Sequence, residues 1–188
     1  MTSPARQLTA ALVCAATLTV GTACSSHKPL PARSIAPHPA PAFSCTDLDG
    51  HVVSRDTLQG KIVIVNFWAV WSPACAREIP ELVQTRKSFG EDARRIAIVG
   101  VCLESNDLGD LRQLMEQLGV DYPVTMQDNT FADQFGGIDS IPTTFVIDPD
   151  WNIVNRYISK LQIKELRYEL RYMLDEIHAA EQAARGKK

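Results

Sequence analysis

Apolar residues follow two kinds of pattern along this chain. The runs at 61–68 and 96–103 are continuous and rich in β-branched and aromatic residues, which predicts central strands buried on both faces. The pair Asp49-Gly50 is a strong turn signal and predicts a hairpin. Shorter apolar segments beside turn residues predict further strands at 43–49, 51–53, 143–147 and 152–157.

Apolar residues at helical spacing predict helices at 74–89, 108–118 and 161–184. Pro80 lies inside the first of these helices and predicts a kink. Strands and helices alternate before a final hairpin and helix. The pattern therefore predicts an α/β fold with a central mixed β-sheet flanked by helices and an N-terminal β-hairpin. In open sheets of this kind the reactive site lies at the carboxyl ends of strands.

The N-terminal residues have the pattern of an export signal. Arg6 precedes an apolar run at 8–20, and small residues follow at 21–26. This order indicates a secretory signal peptide at 1–23, and the alternative is a buried N-terminal helix. Cys24 follows small residues and precedes Ser25-Ser26, which resembles a bacterial lipoprotein signal. We therefore expect lipidation at Cys24, with cleavage without a lipid as the alternative.

Five prolines lie between residues 27 and 42, and they favour an extended spacer. The sequence thus predicts a linker at 24–42, a domain at 43–182 and a basic tail at 183–188. The expected location is the periplasmic side of the cell envelope, either as a lipid-anchored protein or secreted to the periplasm. Membrane contact would come only through the lipid.

Composition excludes several functional classes. The chain has 188 residues, 45% of them hydrophobic and 22% charged, as in an ordinary globular domain. Its formal net charge of -3 gives no electrostatic footprint for nucleic acid. The cysteines and the four histidines are scattered, and no glycine-rich phosphate loop occurs, so we expect neither a metal nor a cofactor.

The cysteine count bears on redox chemistry. Cys14 and Cys24 precede the predicted domain, which leaves Cys45, Cys75 and Cys102 inside it. Three is an odd number in an oxidising compartment, so at least one thiol is unpaired. The surroundings of Cys45 and Cys102 favour small buried hydrophobic residues, while a disulfide among the three stays open.

The segment 66–80 carries the strongest motif, with Ser72-Pro73-Ala74-Cys75 between a predicted strand and a predicted helix. It resembles the active-site segment of thioredoxin-like proteins, specifically the TlpA/ResA-like envelope group of thiol-disulfide oxidoreductases. The segment 137–148 resembles that group's proline loop and following strand. The likeness covers residues 43–178 and implies a thioredoxin-like fold.

This sequence departs from the group at two positions. The group has its nucleophilic cysteine where Ser72 stands, and Cys75 matches the cysteine that resolves the mixed disulfide. A serine hydroxyl is a far weaker acid than a thiol and forms no disulfide, so we expect Ser72 to cap the helix. Asn66 stands where many thioredoxins carry a buried acid. The direction of the pKa shift at Cys75 stays open, since a helix start and burial act in opposite directions.

The resemblance also implies a substrate-binding surface. Pro142 matches a cis-proline whose loop, with Ile141 and Thr143, pairs with an extended segment. Trp68, Trp71 and Pro73 would flank that surface, although a purely core role for Trp68 is equally compatible with the sequence. Glu78 matches an acidic residue of the group, and a solvated or first-turn carboxylate is the alternative.

Three functions fit this motif. The first is a thiol-redox protein that acts through Cys75, with Cys102 as a possible resolving thiol. The second is a module without turnover that binds extended or cysteine-containing envelope proteins. The third is a peroxiredoxin-like monothiol peroxidase, because Ser-x-x-Cys is similar to Thr-x-x-Cys, although Trp68 stands where peroxiredoxins have a proline. The expected partners are envelope proteins or thiols, and whether the protein is an enzyme stays open.

Overall fold

The computed structural model describes residues 35–186, apart from 105–106 and 128. The predicted signal peptide, the lipidation site at Cys24, much of the predicted linker and the last two residues of the tail lie outside the described residues.

A six-stranded sheet forms the centre of the domain, in the order β1-β8-β7-β4-β5-β6. Strands β4, β5 and β6 are parallel, whereas β7, β8 and β1 join antiparallel on the other side. This is the mixed sheet that the sequence predicts. The strands of this sheet are β1 His38–Pro39, β4 Ile62–Ala69, β5 Ile96–Glu104, β6 Val124–Met126, β7 Thr143–Ile147 and β8 Asn152–Ile158.

A separate antiparallel hairpin precedes β4, as predicted, and consists of β2 Ser44–Thr46 and β3 Val52–Ser54. Gly50 has a positive φ of 87° in its turn, a conformation that glycine adopts without steric cost. The helices are α1 Pro73–Lys87, α2 Leu108–Gln117, α3 Asn129–Gln134 and α4 Ile163–Arg185, with a short 3₁₀ helix at Gly90–Arg95. In the part of the chain described, no helix is long and apolar enough to cross a membrane.

Strand β4 divides the core into two layers because its side chains alternate between the two faces of the sheet. Ile64 and Trp68 pack against α1, α2 and α4. Val65 and Phe67 pack against the hairpin and α3 on the opposite face. All eight residues of β4 are buried, which explains their continuous apolar run. The single polar exception is Asn66.

The boundary predicted at residue 43 needs correction, because the sheet already includes His38–Pro39. The backbone N–H of Ala40 donates to the Trp151 carbonyl at 2.9 Å, and the Trp151 indole N–H donates to the Pro41 carbonyl at 3.1 Å. Because proline has no backbone N–H to donate to a ladder, it occurs in edge strands such as β1 and not in central strands. At the other end, α4 extends to Arg185 and includes part of the predicted tail.

We expect Gly100→Ala in β5 to lower the free energy of unfolding by about 1–3 kcal/mol, as overpacking of a dense core does. An added Cβ would lie 3.0 Å from Val124 Cγ2, 3.1 Å from Tyr122 Cε2 and 3.2 Å from Trp68 Nε1. Urea unfolding measures the effect. Gly186→Ala is the control, because its Cβ would meet only the Gln182 carbonyl at 3.6 Å. Equal stability of the two variants would contradict the close packing around Gly100.

Candidate functional site

The Ser72-Pro73-Ala74-Cys75 motif lies between the carboxyl end of β4 and the first turn of α1. Ser72 is the N-cap of α1, and its Oγ accepts a hydrogen bond from the Cys75 backbone N–H at 3.4 Å. Pro73 follows at the first helical position, where a missing N–H costs nothing. The predicted capping role of Ser72 is therefore confirmed.

The Cys75 side chain is buried beneath this cap, with 1% of its surface exposed. Burial raises the pKa of the thiol above its ordinary value, and the nearby Glu78 carboxylate acts in the same direction. Hydrogen bonds from the Ser72 hydroxyl and from the backbone near Ala69 only partly offset burial. The direction left open by the sequence is thus toward a protonated, weakly nucleophilic thiol.

Cys102 lies in the same core layer as Cys75. It pairs with Trp68 in the parallel register of β4 and β5, is fully buried, and its thiol donates to the Glu104 carbonyl at 3.4 Å. Burial raises the pKa of Cys102, and the neighbouring Cys75 thiol adds to that effect. Cys45 lies in the opposite core layer and is also buried. The prediction that Cys45 and Cys102 are small buried hydrophobic residues is therefore confirmed. All three thiols are free.

A buried hydrogen-bond network surrounds Glu78, which is 7% exposed and lies beyond the first turn of α1. Its Oε1 accepts from Asn66 Nδ2 and from Thr144 Oγ1, each at 3.2 Å. Its Oε2 accepts from the Leu161 backbone N–H at 2.8 Å. Burial raises the pKa of Glu78 in spite of these donors. Of the two interpretations of Glu78, the solvated or first-turn carboxylate is therefore wrong.

The sequence contained a signal for this buried acid. Glu78 stands three residues after Cys75 and four before Leu82, and this spacing places all three on one helix face. Asn66, which stands where many thioredoxins carry a buried acid, donates a hydrogen bond to the carboxyl group of Glu78. The buried acid thus comes from α1 and not from β4.

The proline loop lies beside the motif segment, because Ile141 and Trp71 line one depression. The Ile141–Pro142 peptide bond is cis, as the resemblance implies. The Pro142 carbonyl accepts from the Ser159 N–H at 2.8 Å. Thr143 is fully buried, and its hydroxyl donates to the Ser140 carbonyl at 2.7 Å. Thr143 therefore stabilises the loop from inside and does not belong to the contact surface that the sequence proposed.

The two motif tryptophans have different roles. Trp68 is completely buried between β4 and the helices, so of its two open roles it takes the core one and offers no surface to a substrate. Trp71 is 62% exposed, and its indole N–H donates to Glu104 Oε2 at 2.9 Å. Pro73 is also exposed beside it.

Trp71 borders a surface depression of about 410 Å³, called here the Trp71 depression. Its lining combines apolar and acidic residues from the ends of β4 and β5 and from the proline loop. The lining residues are Ala69, Trp71, Leu103, Glu104, Ile138, Asp139, Ser140 and Ile141. Only Trp71 and Ile141 were singled out from the sequence, since no periodic pattern indicates which loop side chains meet.

No histidine in the described part of the chain serves Ser72 as a base. His38 contacts the Ala36 carbonyl, His51 interacts with Asp47 in the hairpin, and His178 contacts Asp92 at 2.9 Å. Among the described residues no group of three or more His, Cys, Asp or Glu side chains has the arrangement of a metal site. The arrangement offers a buried thiol, a buried acid and an open, partly apolar depression.

Comparisons with known proteins agree on one family. The model of the AhpC/TSA family matches residues 36–156. The thiol-disulfide oxidoreductase ResA of Bacillus thuringiensis (strain Al Hakam) is 29% identical over 126 residues, which cover 67% of this chain and 70% of that protein. ResA of Bacillus subtilis (strain 168) is 30% identical over 116 residues, covering 61% and 63%. A thiol:disulfide interchange protein of the thioredoxin family from Chlorobium tepidum TLS has a TM-score of 0.65 at 34% identity, covering 74% of this chain and 98% of that chain.

We expect Glu78→Gln to change how stability depends on pH. The pKa of folded Glu78 is raised above its ordinary value of 4.5, so above pH 4.5 the folded chain holds more protons than the unfolded chain. The contribution of Glu78 to the free energy of unfolding therefore decreases as the pH rises. Urea unfolding from pH 4.5 to neutral pH should show the variant gaining stability relative to wild type.

Glu116→Gln, at an exposed position of α2, is the matched control for the loss of one carboxyl group. A stability difference between wild type and Glu78→Gln that stays constant with pH would contradict the raised pKa of Glu78.

Proposed function

Since the chain belongs to the AhpC/TSA family and has a thioredoxin-like fold, we propose that it is an exported protein of the cell envelope that binds extended polypeptide segments at its proline loop, without dithiol turnover. Its relatives include thiol-disulfide oxidoreductases. The observation that carries the proposal is the site itself: Ser72 caps the helix where the group has its nucleophile, and Cys75 is buried beneath.

Binding at the proline loop is supported by backbone that the sheet leaves open. The ladder between β4 and β7 ends at the pair Phe67–Thr143, so Ile141 lies just beyond the last paired residues. An extended segment can pair with such a backbone by strand addition. The exposed Trp71 offers a large amphipathic contact surface beside it.

Dithiol exchange requires a thiolate that an external disulfide can reach. Ser72 supplies none, and the pKa of the buried Cys75 is raised. In the group, the cysteine that matches Cys75 attacks a mixed disulfide formed by the nucleophilic cysteine. Here Ser72 stands at the position of that nucleophile, and its hydroxyl forms no disulfide. Recognition can therefore persist without exchange chemistry.

A second candidate function is thiol-redox activity through Cys75 with Cys102 as its partner. It is favoured by the location of both thiols in one core layer, where each is free. In this reaction the two thiols would form one disulfide, and a partner disulfide would accept the two electrons and two protons to give two thiols. The pair would first have to become accessible, because both side chains are buried.

The peroxidase alternative lacks a supporting observation in the site. Peroxide reacts with a thiolate, and the pKa values of Cys45, Cys75 and Cys102 are all raised by burial.

Location in the envelope is proposed from the signal pattern at residues 1–23 and from Cys24, which would tether the domain through a lipid.

We expect the wild-type domain to show no insulin reduction above background with dithiothreitol as donor. Ser72→Cys restores two cysteines at the head of α1 and should produce measurable reduction. The double variant Ser72→Cys with Cys75→Ser is the matched control, because its attacking thiol has no resolving partner and should accumulate mixed disulfides. Efficient reduction by the wild type would defeat the proposal.

We also expect oxidised glutathione to leave Cys75 and Cys102 as free thiols in the native domain. Both are buried and protonated, so they should react with an alkylating agent only after unfolding. Mass spectrometry of peptides from the oxidised protein checks this, with Cys102→Ser as the control. A Cys75–Cys102 cross-linked peptide from wild type would favour the second candidate instead.

A further inference from the structure

We propose that the segment recognised at the proline loop carries a basic side chain next to an apolar residue, with the basic group received by Glu104 and Asp139 and the apolar residue packed on Trp71. This inference rests on the proposed function and adds a substrate class to it.

Glu104 is held in position on one wall of the Trp71 depression. The Trp71 indole N–H donates to its Oε2 at 2.9 Å, which orients the carboxylate at the carboxyl end of β5. Glu104 is exposed, and no cation within the described residues forms an ion pair with it. Its charge is therefore available to a partner.

Asp139 lies in the proline loop and also lines the depression. It too is exposed and forms no ion pair within the described part of the chain. Apolar side chains of Leu103, Ile138 and Ile141 complete the lining, which among the described residues contains no lysine, arginine or histidine. Two uncompensated carboxylates beside apolar walls suit an aliphatic stem that ends in a positive charge, as in lysine or arginine.

A second depression lies next to it, on the other side of the proline loop. Ser140 of the Trp71 depression contacts Ser159 of this second depression through their hydroxyls at 2.7 Å. Arg77 and Lys160 line the second depression, together with Glu81 and the buried Glu78. The second depression thus has cations as well as carboxyl groups in its lining, whereas the Trp71 depression has carboxylates without cations, so a basic group on the bound segment favours the Trp71 side.

The magnitudes indicate what each contact contributes. Exposed ion pairs contribute little affinity, but complementary charge selects partners and fixes their register. Packing on Trp71 provides the larger apolar contact. We therefore expect charge to decide which segments are preferred and the aromatic contact to make binding possible.

The test is selection of short random peptides without cysteine, displayed on phage, by the immobilised domain. Three proteins are compared: wild type, the double variant Glu104→Gln with Asp139→Asn, and the double variant Glu116→Gln with Asp150→Asn. The last is the control, because it removes the same net charge at exposed positions outside the Trp71 depression. The amide introduced by Glu104→Gln retains an oxygen that can accept from the Trp71 indole.

We expect wild type and the control to enrich peptides with lysine or arginine beside an apolar residue, and the variant altered at Glu104 and Asp139 to lose this preference. A selected peptide, made synthetically, should bind that variant about threefold to tenfold more weakly at low ionic strength, with a smaller difference at high salt. Enrichment without a basic preference would overturn this inference and leave the proposed function standing. No enrichment at all would overturn both.

Discussion

A buried carboxyl group joins four parts of this fold, and the geometry of the motif depends on it. Glu78 of α1 accepts hydrogen bonds from β4, from β7 and from the backbone ahead of α4. A carboxyl group in an apolar interior requires such partners. Because Thr144 lies two residues beyond Pro142, the same network joins α1 to the start of the strand that follows the proline loop. The two halves of the candidate site are therefore aligned by one residue.

The geometry of the motif and its thiol chemistry are separable in this arrangement. The helix start, the cis-proline loop and the exposed Trp71 do not require sulfur at position 72, whereas thiol exchange does. Ser72 even improves one local interaction, since a hydroxyl is a better N-cap acceptor than a thiol. The helix cap and the cis-proline loop can thus be present while the remaining motif thiol is buried in the core.

The long elements were predictable from the sequence because their burial leaves a clear pattern. The strands β4 and β5 are continuous apolar runs, and α4 has a regular apolar face. The shorter elements β6 and α3 give too few residues for periodicity to show, and two prolines conceal the edge strand β1. In the site, the cap at Ser72 and the cis-proline were predictable. The walls of the Trp71 depression were not, because they depend on which loops meet.

The two outermost strands of the six-stranded sheet are very short, with two residues in β1 and three in β6. These edge strands therefore offer few backbone donors and acceptors with which the edge strand of another copy could pair. A strand added to β1 or to β6 itself could form only a short ladder with it. Edge-to-edge pairing between copies of this domain is therefore disfavoured at β1 and at β6.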